Sequence, residues 1–184
     1  MCVFKEQVII STQSPFYDNV QMIEITRFRF FISLSVMYAA MIFYLSSRTD
    51  LSIIAVDSLI GAWLYELADF FKNNNMLFMI DLANYCYDNF DKLLHMGLYF
   101  GFGIILYLTF HSSESIFLRK YAPLFAIAIG ILYGVTDEYH QSFVPGRVSS
   151  TADLLANGIG VVLAQFVFWA LVIFHILSRK FNNL

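Results

Sequence analysis

Charge is what this sequence has least of. Only 14% of its 184 residues are Asp, Glu, Lys or Arg, against roughly 25% in an ordinary soluble domain. With 59% hydrophobic residues, the chain does not read as a soluble globular protein. Basic residues form no stripe and the formal net charge is -3, so nothing can displace counterions from a phosphate backbone and no nucleic-acid partner is expected. Cysteine is reduced to Cys2 and Cys86. The topology derived below puts them on opposite sides of a membrane, so no internal disulfide is expected. The His/Asp/Glu set described below could hold a divalent metal, but no His-x-x-x-His or similar tight metal spacing occurs, so no metal or other cofactor is the expectation. Ser142, Ser149 and Ser150 lack a base-plus-orienter arrangement that would mark a nucleophile.

The apolar residues come in blocks, and the charges lie between them. A hydrocarbon core of about 30 Å needs roughly 20 apolar residues as helix. Four blocks approach that length, at about 30–45, 93–110, 121–136 and 154–177. The first follows Arg27 and Arg29. It is long for a signal peptide and no small-residue cleavage site follows it, so it reads as a retained span. The connection 46–92 carries Asp50, Asp57, Glu66, Asp69, Asp81, Asp88 and Asp91. Within it, Ile53, Ile60, Trp63, Leu64 and Leu67 fall near one helical face, which predicts an amphipathic interfacial helix over 51–71. Asn73-Asn74-Asn75 should break it, and a further helix is expected over roughly 76–89. Pro145-Gly146 predicts a tight turn between the last two spans.

The expected fold is all-α: an integral membrane four-helix bundle with an additional amphipathic helix in the long first outer connection. Residues 1–29 form an N-terminal cytoplasmic segment, 30–177 the transmembrane domain and 178–184 a cytoplasmic tail. With the N-terminus inside, Lys5, Arg27, Arg29, Arg119, Lys120, Arg179 and Lys180 lie inside, and Arg48, Lys72, Lys92 and Arg147 outside. The excess of basic residues therefore favours both termini in the cytoplasm. Small residues recur every four positions: Gly97 and Gly101; Ala126, Gly130 and Gly134; Ala152, Ala156, Gly160 and Ala164. Such rows predict close packing of the second, third and fourth spans, with the first span peripheral.

Ionisable residues gather at one predicted end of these spans. Asp91 and His95 are four residues apart and share a helical face, with Lys92 beside them. Asp137, Glu138 and Gln141 close the third span. Arg147 follows the turn, and Asp153 and Asn157 open the fourth span. Such groups at membrane depth are costly and usually face a bundle interior or a water-filled cavity. Asp91, Lys92, His95, Asp137, Glu138, Gln141, Arg147, Asp153 and Asn157 are therefore the candidate ligand-binding set. Blander roles exist for each. Ser150 and Asp153 have capping-box spacing, Lys92 and Arg147 can snorkel to head groups, and His140 reads as exposed. His111 and His175 lie near the opposite face.

The pattern Asp91-Lys92-x-x-His95, Asp137-Glu138-x-x-Gln141-x-Phe143-x-Pro145-Gly146-Arg147 and Asp153-x-x-x-Asn157-x-x-Gly160 resembles the VanZ-like membrane proteins. Ile42-Phe43-Tyr44-Leu45-Ser46-Ser47 is similar to their first-span ending. The resemblance covers roughly residues 30–177, while 51–90 departs from the pattern. It implies a cell-envelope role in a bacterium, in the inner membrane, and it carries a weak association with glycopeptide resistance. It implies no reaction.

One expectation is a binding protein whose outward cluster takes membrane lipids, specifically an anionic head group or a lipid-linked wall precursor, with Arg147 as a fork and Lys92 as a point charge. The alternative is a membrane enzyme acting on a phosphate- or ester-bearing lipid, with His95, Asp137 and Glu138 as the candidate catalytic groups. A purely structural bundle is the third reading.

Overall fold

The computed structural model describes residues 15–48 and 59–181. Among these residues there are helices and turns but no strand. In chain order they are α1 (Pro15–Ser46), α2 (Leu59–Asn73), α3 (Leu77–Asp88), α4 (Phe90–His111), α5 (Ile116–Lys120), α6 (Ala122–Gln141) and α7 (Thr151–Phe181). Cys2, Lys5 and the 51–58 start of the expected amphipathic helix lie outside the described residues.

Three helical stretches among the described residues are long and apolar enough to cross a membrane: Ile25–Ser46, Phe90–His111 and Thr151–Arg179. At 1.5 Å per residue, the 22-residue stretches reach about 33 Å. Helix α6, the third of the expected spans, is 20 residues long but is not among them. Its last turn is Asp137-Glu138-Tyr139-His140-Gln141, which cuts its apolar length short.

The long connection folds as a hairpin of α2 and α3. The asparagine run separates them as expected. Asn75 takes a left-handed conformation with φ 54°, and the Met76 N–H closes the turn on the Phe71 carbonyl at 3.0 Å. Trp63 and Leu67, from the predicted apolar face of α2, are exposed rather than packed into the bundle.

Helices α4, α6 and α7 pack on one another, and α4 and α7 share the most extensive contact. Small residues make this possible. A Cβ at Gly160 would run into the Met96 carbonyl and lie 2.9 Å from the Phe100 nitrogen, so α7 touches the α4 backbone itself. A Cβ at Gly103 would lie 3.1 Å from the Val161 backbone, and one at Gly130 would lie 2.7 Å from the Val161 side chain. One member of the predicted rows does not take part. A Cβ at Gly97 would meet nothing within 4 Å, because this residue faces outward on α4. Gly103, outside the row, takes the packing role instead.

The first span is only partly peripheral. Just 6% of its apolar window is buried, yet one stripe is tied down. Ser35 bonds Thr109 at 2.8 Å, the Tyr38 hydroxyl donates to the Leu98 carbonyl at 3.1 Å, and the Tyr133 hydroxyl donates to the Ala39 carbonyl at 2.6 Å. Ile42 joins the core with Tyr99, Phe102, Leu106, Ala126 and Val161. These interhelical hydrogen bonds do for α1 what glycine contacts do for α7.

Gly160→Ala should therefore lower thermal stability in detergent, by about 1–3 kcal/mol for overpacking against backbone. Gly97→Ala should change it by less than about 0.5 kcal/mol. Equal losses in the two variants' melting curves would contradict this packing assignment.

Candidate functional site

Because α1, α4, α6 and α7 alternate in direction, the C-termini of α1 and α6 and the N-termini of α4 and α7 meet at one end. Each polar segment singled out above sits at one of those ends. On α4, Asp91, His95 and Tyr99 succeed one another at single-turn intervals. On α6, Asp137 and Glu138 occupy the last turn with Gln141. On α7, Asp153 and Asn157 share a face of the first two turns. Asp137, Glu138, Gln141, Asp153 and Asn157 are all buried, while Lys92, His95 and Arg147 are partly exposed.

The floor of the cluster is Asp137. Its Oδ2 accepts from the Tyr99 hydroxyl at 3.1 Å and more weakly from the Gln141 amide at 3.4 Å. Glu138 faces the next connection. Its Oε2 accepts from the Ser150 backbone N–H at 3.0 Å and the Ser149 hydroxyl at 3.4 Å. The His95 Nδ1 lies 3.1 Å from the Asn157 Oδ1. An amide oxygen only accepts, so with the amide in this orientation Nδ1 is the donor, and in the neutral ring Nε2 keeps its lone pair. At the mouth, the Lys92 ammonium lies 2.8 Å from Asp91 and 3.6 Å from Asp153.

Ligand atoms of His95, Glu138 and Asp153 all lie within 4.8 Å of one another. Their helices are different, so no sequence spacing could have announced the group. Asp137 Oδ1, Glu138 Oε1, Asp153 Oδ1 and Asn157 Nδ2 are buried without a protein hydrogen-bond partner. The Asp153 oxygen has Lys92 within ion-pair range, but beyond hydrogen-bond reach. Such a set can hold a cation, or exchange protons with a polar group placed among them.

The family model described as VanZ/LLP1 matches residues 28–175. The chain belongs to the VanZ/LLP1 family. No curated protein and no solved structure matches it. The segments of this VanZ/LLP1 chain that carry the resemblance are the ones that converge at the polar end.

Three expectations at this VanZ/LLP1 site need correction. The capping box of Ser150 and Asp153 is not reciprocal. The Ser150 hydroxyl accepts from the Ala152 N–H at 3.1 Å, but the Ser150 N–H goes to Glu138 on another helix, leaving Asp153 free to turn towards Lys92. His140 is not a free surface residue. It bonds the Ser47 hydroxyl at 3.0 Å and stacks on Phe43 with ring centroids 4.1 Å apart, pinning the end of α6 to the end of α1. Arg147 is drawn to α1 as well. Its Nη2 donates to the Leu45 carbonyl at 3.4 Å, and among the described residues it makes no ion pair with the buried acids. The predicted tight turn does form: Gly146 has φ 81° and the Arg147 N–H reaches the Val144 carbonyl at 3.1 Å.

Tyr99 is the residue that sequence reasoning missed. It is one tyrosine in an aromatic-rich span, and only its place one turn after His95 on the Asp91–His95 face signals a polar role.

Tyr99→Phe should destabilise the protein by about 1.5–3 kcal/mol, since a buried carboxylate loses its best donor. In a double-mutant cycle with Asp137→Asn, the coupling measured by thermal melts should be about 0.5–3 kcal/mol. Additive effects would mean that the Tyr99–Asp137 bond contributes nothing.

Proposed function

We propose that this family member is a multi-pass protein of the bacterial inner membrane that binds a phosphate-bearing lipid head group at the polar end. The occupant is an anionic lipid or a lipid-linked envelope precursor. In this reading α6 also spans the membrane and completes a four-helix bundle, α2 lies at the membrane interface, both termini are cytoplasmic and the polar end faces outward.

The observation that carries it is the state of Lys92. An ammonium has three donors. Asp91 takes one of them at 2.8 Å, Asp153 lies in ion-pair range at 3.6 Å, and the side chain remains 33% exposed. A donor is thus left at the rim of a cluster whose surrounding helix sides are apolar and exposed, as lipid contact requires. Phosphate oxygens are strong acceptors for such a charge-assisted bond. Arg147 supports the same reading from the other side, with a buried Nε that has no protein acceptor.

Hydrolysis of the lipid is the weaker reading. Ser149 is the hydroxyl beside a carboxylate, but its contact with Glu138 is 3.4 Å and shares an oxygen already bonded to the Ser150 N–H.

In nanodiscs, the protein should bind a fluorescent anionic lipid more tightly than a zwitterionic one. Lys92→Gln should weaken that preference about tenfold, the equivalent of roughly 1.4 kcal/mol. Unchanged affinity in both Lys92→Gln and Arg147→Gln, with both proteins folded, would rule the proposal out.

A further inference from the structure

The polar end buries several carboxylates close together. Asp137, Glu138 and Asp153 are buried there, and Asp91 is half-buried. Lys92 lies within ion-pair range of Asp91 and Asp153, while Arg147 is turned to a carbonyl on α1. Buried carboxylates without compensation are expensive, because desolvation outweighs whatever long-range attraction remains. Three further features bear on the group that would compensate them.

The first is geometry. A cation bonded at about 2.1–2.4 Å keeps its ligand atoms roughly 3–4.8 Å apart, depending on the angle between them. His95, Glu138 and Asp153 meet that limit, with ligand atoms within 4.8 Å of one another. The second is the open valences. Glu138 is 5% exposed and Asp153 8% exposed, and Glu138 Oε1 and Asp153 Oδ1 each lack a hydrogen-bond donor. Lys92 lies nearer to Asp91, at 2.8 Å, than to Asp153, at 3.6 Å, so it does not occupy the Asp153 oxygen.

The third is orientation. Metal-binding histidines usually donate their other N–H to an oxygen that holds the ring in place. Here the fully buried Asn157 Oδ1 takes the Nδ1–H, and the Nε2 lone pair remains. Glu138 is held in the same way. Ser150 N–H and Ser149 fix Oε2 and leave Oε1 free.

We propose that His95, Glu138 and Asp153 form a divalent-cation site at the polar end. One imidazole with two carboxylates suits a borderline ion such as Zn²⁺ or Mn²⁺ better than Ca²⁺ or Mg²⁺, which favour oxygen alone. Three protein ligands leave coordination positions for water or for a phosphate oxygen. A bridge from the cation to a lipid phosphate rests on the head-group reading above; the cation site itself does not.

The test uses the full chain, purified in a zwitterionic detergent without anionic lipid, stripped with chelator and titrated with Zn²⁺ or Mn²⁺. About one ion per chain should bind and raise Tm. His95→Gln, Glu138→Gln and Asp153→Asn should each weaken binding at least tenfold. His111→Ala and His175→Ala, which alter histidines outside the cluster, should leave it unchanged. Folding of each variant is checked by circular dichroism, and the near-isosteric Glu138→Gln and Asp153→Asn serve if His95→Gln does not fold. Failure of both ions to bind stoichiometrically, or binding that survives Glu138→Gln and Asp153→Asn, overturns the site. Ion binding in detergent with anionic-lipid affinity in nanodiscs unaffected by chelator upholds the site and removes the bridge.

Discussion

The backbone contact between α4 and α7 is the constraint on which the polar end depends. In a bilayer the helices gain little by hiding apolar surface from lipid, so association rests on close packing and interhelical hydrogen bonds. Gly160 lets α7 lie against the main chain at Met96 and Phe100. Met96 follows His95, and Gly160 lies three residues after Asn157. The same contact therefore sets the 3.1 Å spacing of His95 and Asn157. A methyl group at this crossing would push apart two helices whose side chains meet one turn away. Gly103 against the Val161 backbone makes the crossing two turns long, which fixes the angle between the helices as well as their distance.

On that frame the protein holds more buried charge than a packing role calls for. Asp137 and Glu138 each have one oxygen engaged, by Tyr99 and Gln141 and by the Ser150 N–H and Ser149 hydroxyl, while Asp153 Oδ1 has Lys92 at 3.6 Å, beyond hydrogen-bond reach. Each of the three keeps an oxygen without a hydrogen-bond donor. A bundle that needed only stability would be served better by apolar groups of similar shape, since replacing buried ionic sets that way is often neutral or stabilising. These open oxygens are the groups that the proposed occupant would engage.

Much of this arrangement was legible in the sequence. Apolar blocks gave three of the expected spans, because spanning length and composition are local properties. The Asn73–Asn75 break and the Pro145-Gly146 turn were legible because each depends on a few consecutive residues. The four-residue spacings of Asp91 with His95, and of Asp153 with Asn157, placed polar groups on shared faces. What could not be read depends on which way a helix is rotated in the bundle. Gly97 and Gly103 are equally plausible packing glycines until α4 is oriented, and only Gly103 meets α7. The capping box was misread for a related reason: spacing along the chain could not show that Glu138, from another helix, would take the Ser150 N–H. The grouping of His95, Glu138 and Asp153 is likewise a product of three helix ends meeting.

Exposure falls steadily along this end of the molecule. Asp91 and Lys92 have side chains 45% and 33% exposed and form the rim, immediately after the junction of α3 and α4. His95 comes next, one turn deeper, with Glu138 and Asp153 facing it. Asp137 and Tyr99 lie deepest. The Tyr99 hydroxyl is the last polar group before the aromatic core, where its ring meets Phe102 edge-on at 6.3 Å and Phe102 in turn contacts Tyr133 at 5.2 Å. The opposite side is shut by His140 on Ser47 and Arg147 on Leu45, which fasten the 142–150 connection to α1. The polar groups thus run from a charged rim to a floor sealed by aromatic packing. Of the two segments that border this end, the 142–150 turn is held by hydrogen bonds on both sides. The rim stands at the end of the α2–α3 hairpin, a stretch that holds none of the motif residues quoted for the family resemblance. The motif residues and this connection therefore meet at Asp91 and Lys92, where the proposed head group would make its first contact.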